Sequence, residues 1–524
     1  MKKKLASTCV LATTGSCCGR RILSVLLSLV MLLSLLPTTA LAEGETYPDG
    51  VNIAIGSDSI NIDPGKCLTK NEAKAENVKD YSSGDTYVAR YDSTGTLYLN
   101  GYNGGKISAT NGSLSIVLEG SSENTVTVTG SAGSGIYGIE GNGVDLTIQG
   151  SGSLTVKATD TGNGDVYGIW GKTVTVAGSA NVTVEAKTKQ TATYAIYAPN
   201  GFSTTGSGAL DLTVTGDTGN EQALYGIYVE SGDISLGGDG TKSITLKGAG
   251  NWVYGIYTKT SGTTTVSNGS LTIKNETGYE EPIAINAQGV VTLNAPVTIQ
   301  NFKYGVFNNA RALSGEDTAD IKIAGGEISI NSEKNESNGL WSASNRVAIR
   351  GGTVKISTKN SAIAAKNGGL DVTGAPTVTL TTEASNAFYN NSASASTINL
   401  TSGGSVTATS KGTGTYIYPI QGVITLGENT KVTKGTQYPG GTVSGEETSA
   451  GSGTYTVKFE YQAPGAASAA VGDVTIEGTT GTPITEQEVT VTLENDKFAS
   501  IIRAGDTLDH QSARRSEPEC HPHG

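Results

Sequence analysis

Apolar and polar positions alternate along most of this chain in short runs, each closed by a glycine-containing turn. Val144–Ile148 with Leu154–Val156, Val174–Val176 with Val182–Val184, Ile234–Leu236 with Ile244–Leu246, and Leu370–Val372 with Val378–Leu380 all follow it. Val, Ile or Leu takes every second place, and Thr, Ser or Asp stands between. A period of two marks a strand with one buried face. The runs are rich in β-branched residues, which fit a pleated, half-buried surface. No segment here sustains apolar residues at i, i+3, i+4 and i+7, so almost no helix is predicted.

The runs are organised by a repeat. Tyr137-Gly138-Ile139, Tyr167-Gly168-Ile169-Trp170, Tyr194-Ala195-Ile196-Tyr197, Tyr225-Gly226-Ile227-Tyr228 and Tyr254-Gly255-Ile256-Tyr257 recur, with echoes at Ile283-Ala284-Ile285-Asn286 and Tyr304-Gly305-Val306-Phe307. Counted from the small second residue, the first intervals are 30, 27, 31, 29 and 29 residues. Such a period means a solenoid, a propeller or an array. Each interval holds three short strands, whereas a propeller blade needs four. Loop length also drifts along the chain, which a solenoid absorbs more easily than a closed ring. The expected fold is all-β: a parallel β-helix of three strands per coil and about eleven coils, from Leu114 to Val432.

Composition refines this. Charged residues are 16% of the chain and glycine numbers 71. Residues 1–42 carry five Lys or Arg and no Asp or Glu, then the apolar run Ile22–Leu36, then Ala40-Leu41-Ala42. That is the pattern of a secretory signal peptide, not of a membrane span. The 36 Lys and Arg of the chain, less those five, leave 31 against 48 Asp and Glu, a net charge of −17. An acidic surface argues against nucleic acid, which is held by clustered Lys and Arg. Two cysteines follow residue 42, Cys67 and Cys520, so no disulfide framework is expected. The remaining organisation reads as an irregular, polar N-terminal cap over 43–95, the β-helix over 96–440, a linker over 441–453, a partial β domain over 454–508 and an atypical tail over 509–524. The tail contains all three His, which removes Ser-His-Asp, Cys-His and most zinc arrangements from the patterned part. A monomer with no membrane span after cleavage is expected.

Three groups of residues could carry chemistry. If the Ile of each tetrapeptide faces the core, the next residue faces out. Trp170, Tyr197, Tyr228, Tyr257 and Phe307 then form a file on one face, interrupted by Asn286. Aromatic faces accept the C–H groups of sugars, so such a file is a candidate carbohydrate-binding platform; cross-strand aromatics also serve simply as packing. Arg346 and Arg350, on one outer face with Val347 and Ile349 inward, could bind a carboxylate. They are the candidate bases of a uronate lyase, or solvated side chains near Glu327 or Glu333. Glu316, Asp317 and Asp320 are the densest acidic group and a weak candidate calcium site. Asp145, Asp233, Asp320 and Asp371 are all read as outward-facing at strand starts.

The segments Leu97-Tyr98-Leu99-Asn100-Gly101-Tyr102-Asn103-Gly104 and Leu114–Gly120, the run Asn124–Thr127 and the Tyr-Gly-Ile coils resemble bacterial secreted carbohydrate-binding domain-containing proteins with pectate-lyase-like β-helices, over roughly residues 85–440. Pro483–Leu493 is similar to modules of Gram-positive surface proteins. The resemblance implies a right-handed parallel β-helix, a secreted or cell-surface location, and glycan binding with no required cofactor, Ca²⁺ being an optional aid. The expected function is a non-catalytic, adhesin-like binder of polysaccharide. The alternatives are a calcium-dependent polysaccharide lyase or a purely structural stalk.

Overall fold

The computed structural model describes residues 47–463 apart from 56–57, 132, 134, 218–221, 314–317, 391–395, 412–418, 423 and 435–454. The regular elements among the described residues are all strands apart from a single 3₁₀ turn at Ala75–Asn77. They wind through about eleven parallel turns as a β-solenoid, three strands to the coil. Two strands of each coil lie in one 28-stranded sheet and the third in a 14-stranded sheet. In the coil around Tyr225, for example, these are Ala223–Val229, Ile234–Leu236 and Thr241–Gly248.

Register follows residue identity. Tyr pairs with Tyr and Ile with Ile from coil to coil: Ile139, Ile169, Ile196, Ile227, Ile256, Ile285, Val306 and Leu340 form one continuous inward column. All eight are 1% exposed or less. Burying each such side chain contributes about 1.5–3 kcal/mol. A one-residue slip would send the whole column to solvent, so one register dominates.

The tetrapeptide departs from strict alternation. Its Gly and Ile are both buried; the tyrosines before and after them, Tyr225, Tyr254 and Tyr257, are partly exposed, and Tyr228 is 9% exposed. The pairing skips the small residue, joining Tyr225 to Tyr254 and Ile227 to Ile256. The strand bends there, and the bend brings the backbone of the second residue against the core. A Cβ on Gly226 would run into Ile244 Cγ2 and the Gly255 carbonyl oxygen. Only Gly or Ala occupies the place because the opposite sheet and the next coil are already in contact.

One inward column contains a cation. Lys242 aligns with Leu210 and Leu271 and is 3% exposed. Its ammonium donates to the carbonyls of Gly238 at 2.7 Å and Asn268 at 3.0 Å. Burial pushes its pKa down.

Both ends of the solenoid differ from expectation. The region 43–95, read as irregular, contains antiparallel strands from Val51 onward: 51–55 pairs with 58–62 and with 107–110, and 66–68 lies between 78–80 and 89–91. These strands lie outside the Tyr-Gly-Ile repeat that marks the coils, but Val51, Ile53, Ile62, Leu68, Tyr91 and Cys67 are fully buried. At the other end, Tyr455–Tyr461, read as the opening of a second β domain, lies antiparallel between 405–410 and 430–434 in the 14-stranded sheet. Val457 and Phe459 are buried there at 0% and 1% exposure, covering apolar surface that a further coil would otherwise cover. Residues 1–42, expected to be a signal peptide, the linker expected over 441–453, the part of the expected β domain over 464–508 and the tail over 509–524 lie outside the described residues.

Candidate functional site

The bend in each tetrapeptide strand creates two files of rings rather than one. The expected file is present: Trp170, Tyr197, Tyr228 and Tyr257 align in register, then Asn286, then Phe307 and Trp341. A second file, Tyr137, Tyr167, Tyr194, Tyr225 and Tyr254, runs beside it. Its centroids are 4.9, 5.0, 4.9 and 5.3 Å apart and its planes lie within 14° of parallel. Strict alternation would have put these tyrosines on the same side as Ile; the skipped glycine turns them outward.

The rings occupy one another's faces. Tyr197, Tyr228 and Tyr257 stack at 5.2 Å and within 11° of parallel. The two files meet edge to face, as between Tyr225 and Tyr228 at 5.1 Å and 82°. Both geometries are favoured aromatic arrangements. The expected platform, with ring faces open to sugars, is therefore corrected: the regular part of the array presents ring edges and phenol hydroxyls instead. Burial raises the pKa of Tyr167, Tyr194, Tyr225, Tyr228 and Tyr254 above the ordinary phenol value. Burial and the carboxylate of Glu230 push Tyr197 up to about 12. These six tyrosines are thus neutral phenols at ordinary pH, and Tyr228 donates to Glu230 Oε1 at 3.5 Å.

Beyond Asn286 the array changes character. Tyr304 meets Phe307 at 5.0 Å and 64°, Phe307 and Trp341 lie 6.3 Å apart, and the Lys366 ammonium sits 4.3 Å from the Trp341 centroid. Sequence reasoning passed over Trp341 and Trp252. Trp252 stands two residues before Tyr254 and is 57% exposed, the one exposed large apolar side chain among the described residues. Its position at the head of a tetrapeptide was the available signal.

The arginine pair divides. Arg346 closes a two-pronged ion pair with Asp371 of the next coil, Nε to Oδ2 at 2.5 Å and Nη2 to Oδ1, and Nη1 donates to the Gly368 carbonyl at 2.8 Å. The anticipated neighbours Glu327 and Glu333 pair instead with Lys355 at 3.0 Å and Lys359 at 2.8 Å. A guanidinium fixed on its own carboxylate is poorly placed to take a proton from substrate. Arg350 is exposed at the end of its strand.

The acidic reading is also altered. Asp145 is held outward by Lys172 at 3.0 Å and Thr173 at 2.7 Å, and Asp233 accepts from the Thr263 amide at 2.7 Å. Asp320, expected outward, is fully buried. The pairing shifts register between Ala319 and Ile321, so Ala319, Asp320 and Ile321 are all buried. Its Oδ2 accepts from Ser342 Oγ and from Asn345 Nδ2, each at 3.0 Å, and Oδ1 is buried without a hydrogen-bond partner. Burial raises its pKa to about 6. Glu316 and Asp317 lie outside the described residues. Among the described residues no three acidic, His or Cys side chains converge as a metal site, and no helix is long and apolar enough to cross a membrane.

No family model, curated protein or solved structure matches the chain.

Proposed function

We propose that this chain is a non-catalytic β-solenoid, secreted or held at a cell surface, that binds polysaccharide along its double file of aromatic rings. The observation that supports the reading is the array itself. It presents partly exposed ring edges and neutral hydroxyls at every coil from Tyr137 to Tyr257, and a surface that repeats at each step suits a ligand that also repeats. Phenol hydroxyls donate and accept, as sugar hydroxyls do. Trp252 adds an exposed indole beside the array for C–H contact with a sugar ring. The chain's acidic balance disfavours nucleic acid as the polymer.

The test is retention of the full chain on insoluble and immobilised polysaccharides, with calcium and with chelator. The informative variant is Tyr197→Phe/Tyr228→Phe/Tyr257→Phe, which keeps the stacks and removes the hydroxyls. Retention by the parent that is weakened in this variant, with an unchanged melting profile, is the expected outcome. A parent chain retained on none of the polysaccharides overturns the proposal and leaves a structural stalk.

A further inference from the structure

Seven buried side-chain oxygens of the described residues lack a hydrogen-bond partner, and three of them belong to one corner of successive coils: Asp160 Oδ1, Thr193 Oγ1 and Gln222 Oε1. Their residues are 2%, 0% and 0% exposed. At this corner a strand of the 14-stranded sheet ends and the next tetrapeptide strand begins. Thr159 pairs with Lys187, which sets Asp160 in line with Thr188, and Thr188 pairs with Gly216. Across the corner Val166, Thr193 and Leu224 align at the starts of the facing strands.

Hydrogen bonds draw the turns of this corner together. Asp160 Oδ2 accepts from the Gly164 amide at 3.0 Å. Thr191 Oγ1 donates to the Gly164 carbonyl at 2.6 Å, and the Thr191 amide donates to Thr188 Oγ1 at 3.2 Å. Asp165 Oδ1 accepts from the Ala192 amide at 3.1 Å. Gln222 Nε2 donates to the Lys189 carbonyl, and a Cβ on Gly216 would run into Gln222 Oε1. The file that continues from Asp160 is otherwise hydroxyl or glycine, with Thr188, Gly216, Gly248 and Thr277 in register, so the carboxylate is the exception. Ile136, Ala158, Val166 and Ala186 pack as a separate apolar cluster at the same end of these strands. The lysines of the strands pair elsewhere, Lys157 with Glu185 at 3.3 Å and Lys187 with Asp217 at 3.6 Å. A buried carboxylate with one amide for a partner is costly unless positive charge is supplied.

We propose that this corner binds a calcium-type cation, with Asp160 Oδ1, Thr193 Oγ1 and Gln222 Oε1 as ligands from three successive coils and Asp165 as a second negative charge in the same turn. Calcium accepts charged and neutral oxygens together in flexible geometry, whereas magnesium demands a near-octahedral shell and keeps several waters. A corner lined by protein oxygens therefore suits calcium. The cation clamps three coils and stabilises the folded chain by binding it alone. This site contains none of Glu316, Asp317 and Asp320, lies inside the solenoid, and is independent of the polysaccharide reading.

The experiment strips the full chain with chelator and follows its amide hydrogen exchange after addition of calcium, magnesium or sodium chloride at matched ionic strength. At a calcium concentration about ten times Kd, opening of the corner is suppressed about tenfold, and protection over 160–166, 188–193 and 222–224 should rise by that factor. Asp160→Asn keeps the shape, removes the charge and should abolish the rise. Thr193→Val keeps the shape, removes one oxygen and should weaken calcium about tenfold; it carries the test if Asp160→Asn fails to fold. No calcium-dependent protection at the corner of the parent chain overturns the inference. A rise undiminished in either folded variant also overturns it, because calcium then acts from elsewhere. An equal rise with magnesium or sodium overturns the assignment to calcium. None of these failures touches glycan retention, which tests the earlier proposal separately.

Discussion

Replacing Tyr225 by Ala tests whether the ring files hold the solenoid together. Tyr225 stacks on Tyr194 at 4.9 Å and on Tyr254 at 5.3 Å, and meets Tyr228 and Tyr257 edge-on at 5.1 and 5.6 Å. Each aromatic pair is worth about 0.5–1.5 kcal/mol beyond area burial. Four pairs sum to about 2–6 kcal/mol, which brackets the roughly 3–5 kcal/mol usual for deleting a packed aromatic ring. Tyr137, at the end of the file, has two ring partners among the described residues, Tyr167 at 4.9 Å and Trp170 at 5.3 Å. Tyr137→Ala should cost about half as much by the same reckoning. Tyr225→Phe keeps every ring contact and should cost about 1 kcal/mol or less. Stacked coils can unfold piecemeal, so urea titration by near-ultraviolet circular dichroism needs a local companion. Amide hydrogen exchange of 194–197, 223–229 and 252–258 supplies it, and protection should fall in all three segments. If Tyr225→Ala stays within about 1 kcal/mol of the parent, or costs no more than Tyr137→Ala, the mutual-support argument is wrong.

Other outcomes follow from the same contacts. Asp320 is held at about 6, above its unfolded value of 3.8, so the folded state keeps the proton longer. Stability should therefore fall as pH rises from about 4 to 6, by roughly 3 kcal/mol in all. Asp320→Asn should remove that slope, and equal slopes in thermal melts across this range would refute the reasoning. Arg346→Ala and Asp371→Ala should each cost on the order of 1–2 kcal/mol, after allowance for partial exposure, and the double variant little more than either. Additive losses in the double-mutant cycle would show that the pair contributes nothing as a pair. Gly226→Ala should cost about 1–3 kcal/mol through overpacking against Ile244 and Gly255, measured by urea unfolding, where a neutral result would show that the coils can part. The ladder phenols titrate above the ordinary value when folded, so ionisation favours the unfolded chain and stability should fall as pH rises above 10. Spectrophotometric titration should show Tyr194, Tyr225 and Tyr254 ionising only with unfolding.

The solenoid was legible because its signal is repeated. Each Tyr-Gly-Ile unit announces an inward Ile, and the following alternation announces two more strands. The outward file from Trp170 to Phe307 followed from the parity of Ile. The neighbouring tyrosine file did not, because parity fails at the residue the pairing skips, and a bend at Gly226 leaves no mark in hydrophobicity. Asp320 was misplaced for a related reason: the register shift beside it breaks alternation where the strand is too short to show the break. The Arg346–Asp371 pair and the corner at Asp160 join different coils through turns of unequal length. Their distances depend on how those turns close, which residue spacing does not encode.

The identity of coil-to-coil pairing has a consequence for the history of the chain. Because Tyr meets Tyr and Ile meets Ile at each junction from Tyr137 to Tyr257, a copied segment of about one interval would find matching partners above and below wherever it was inserted. Length is then a quantity that recombination can vary in whole coils, without redesign of any contact. Beyond Tyr257 the pairs become Tyr with Asn and Asn with Phe, and a copy would no longer match at both joins. Variation in length among relatives of this gene should fall between Tyr137 and Tyr257, in steps near 29 residues.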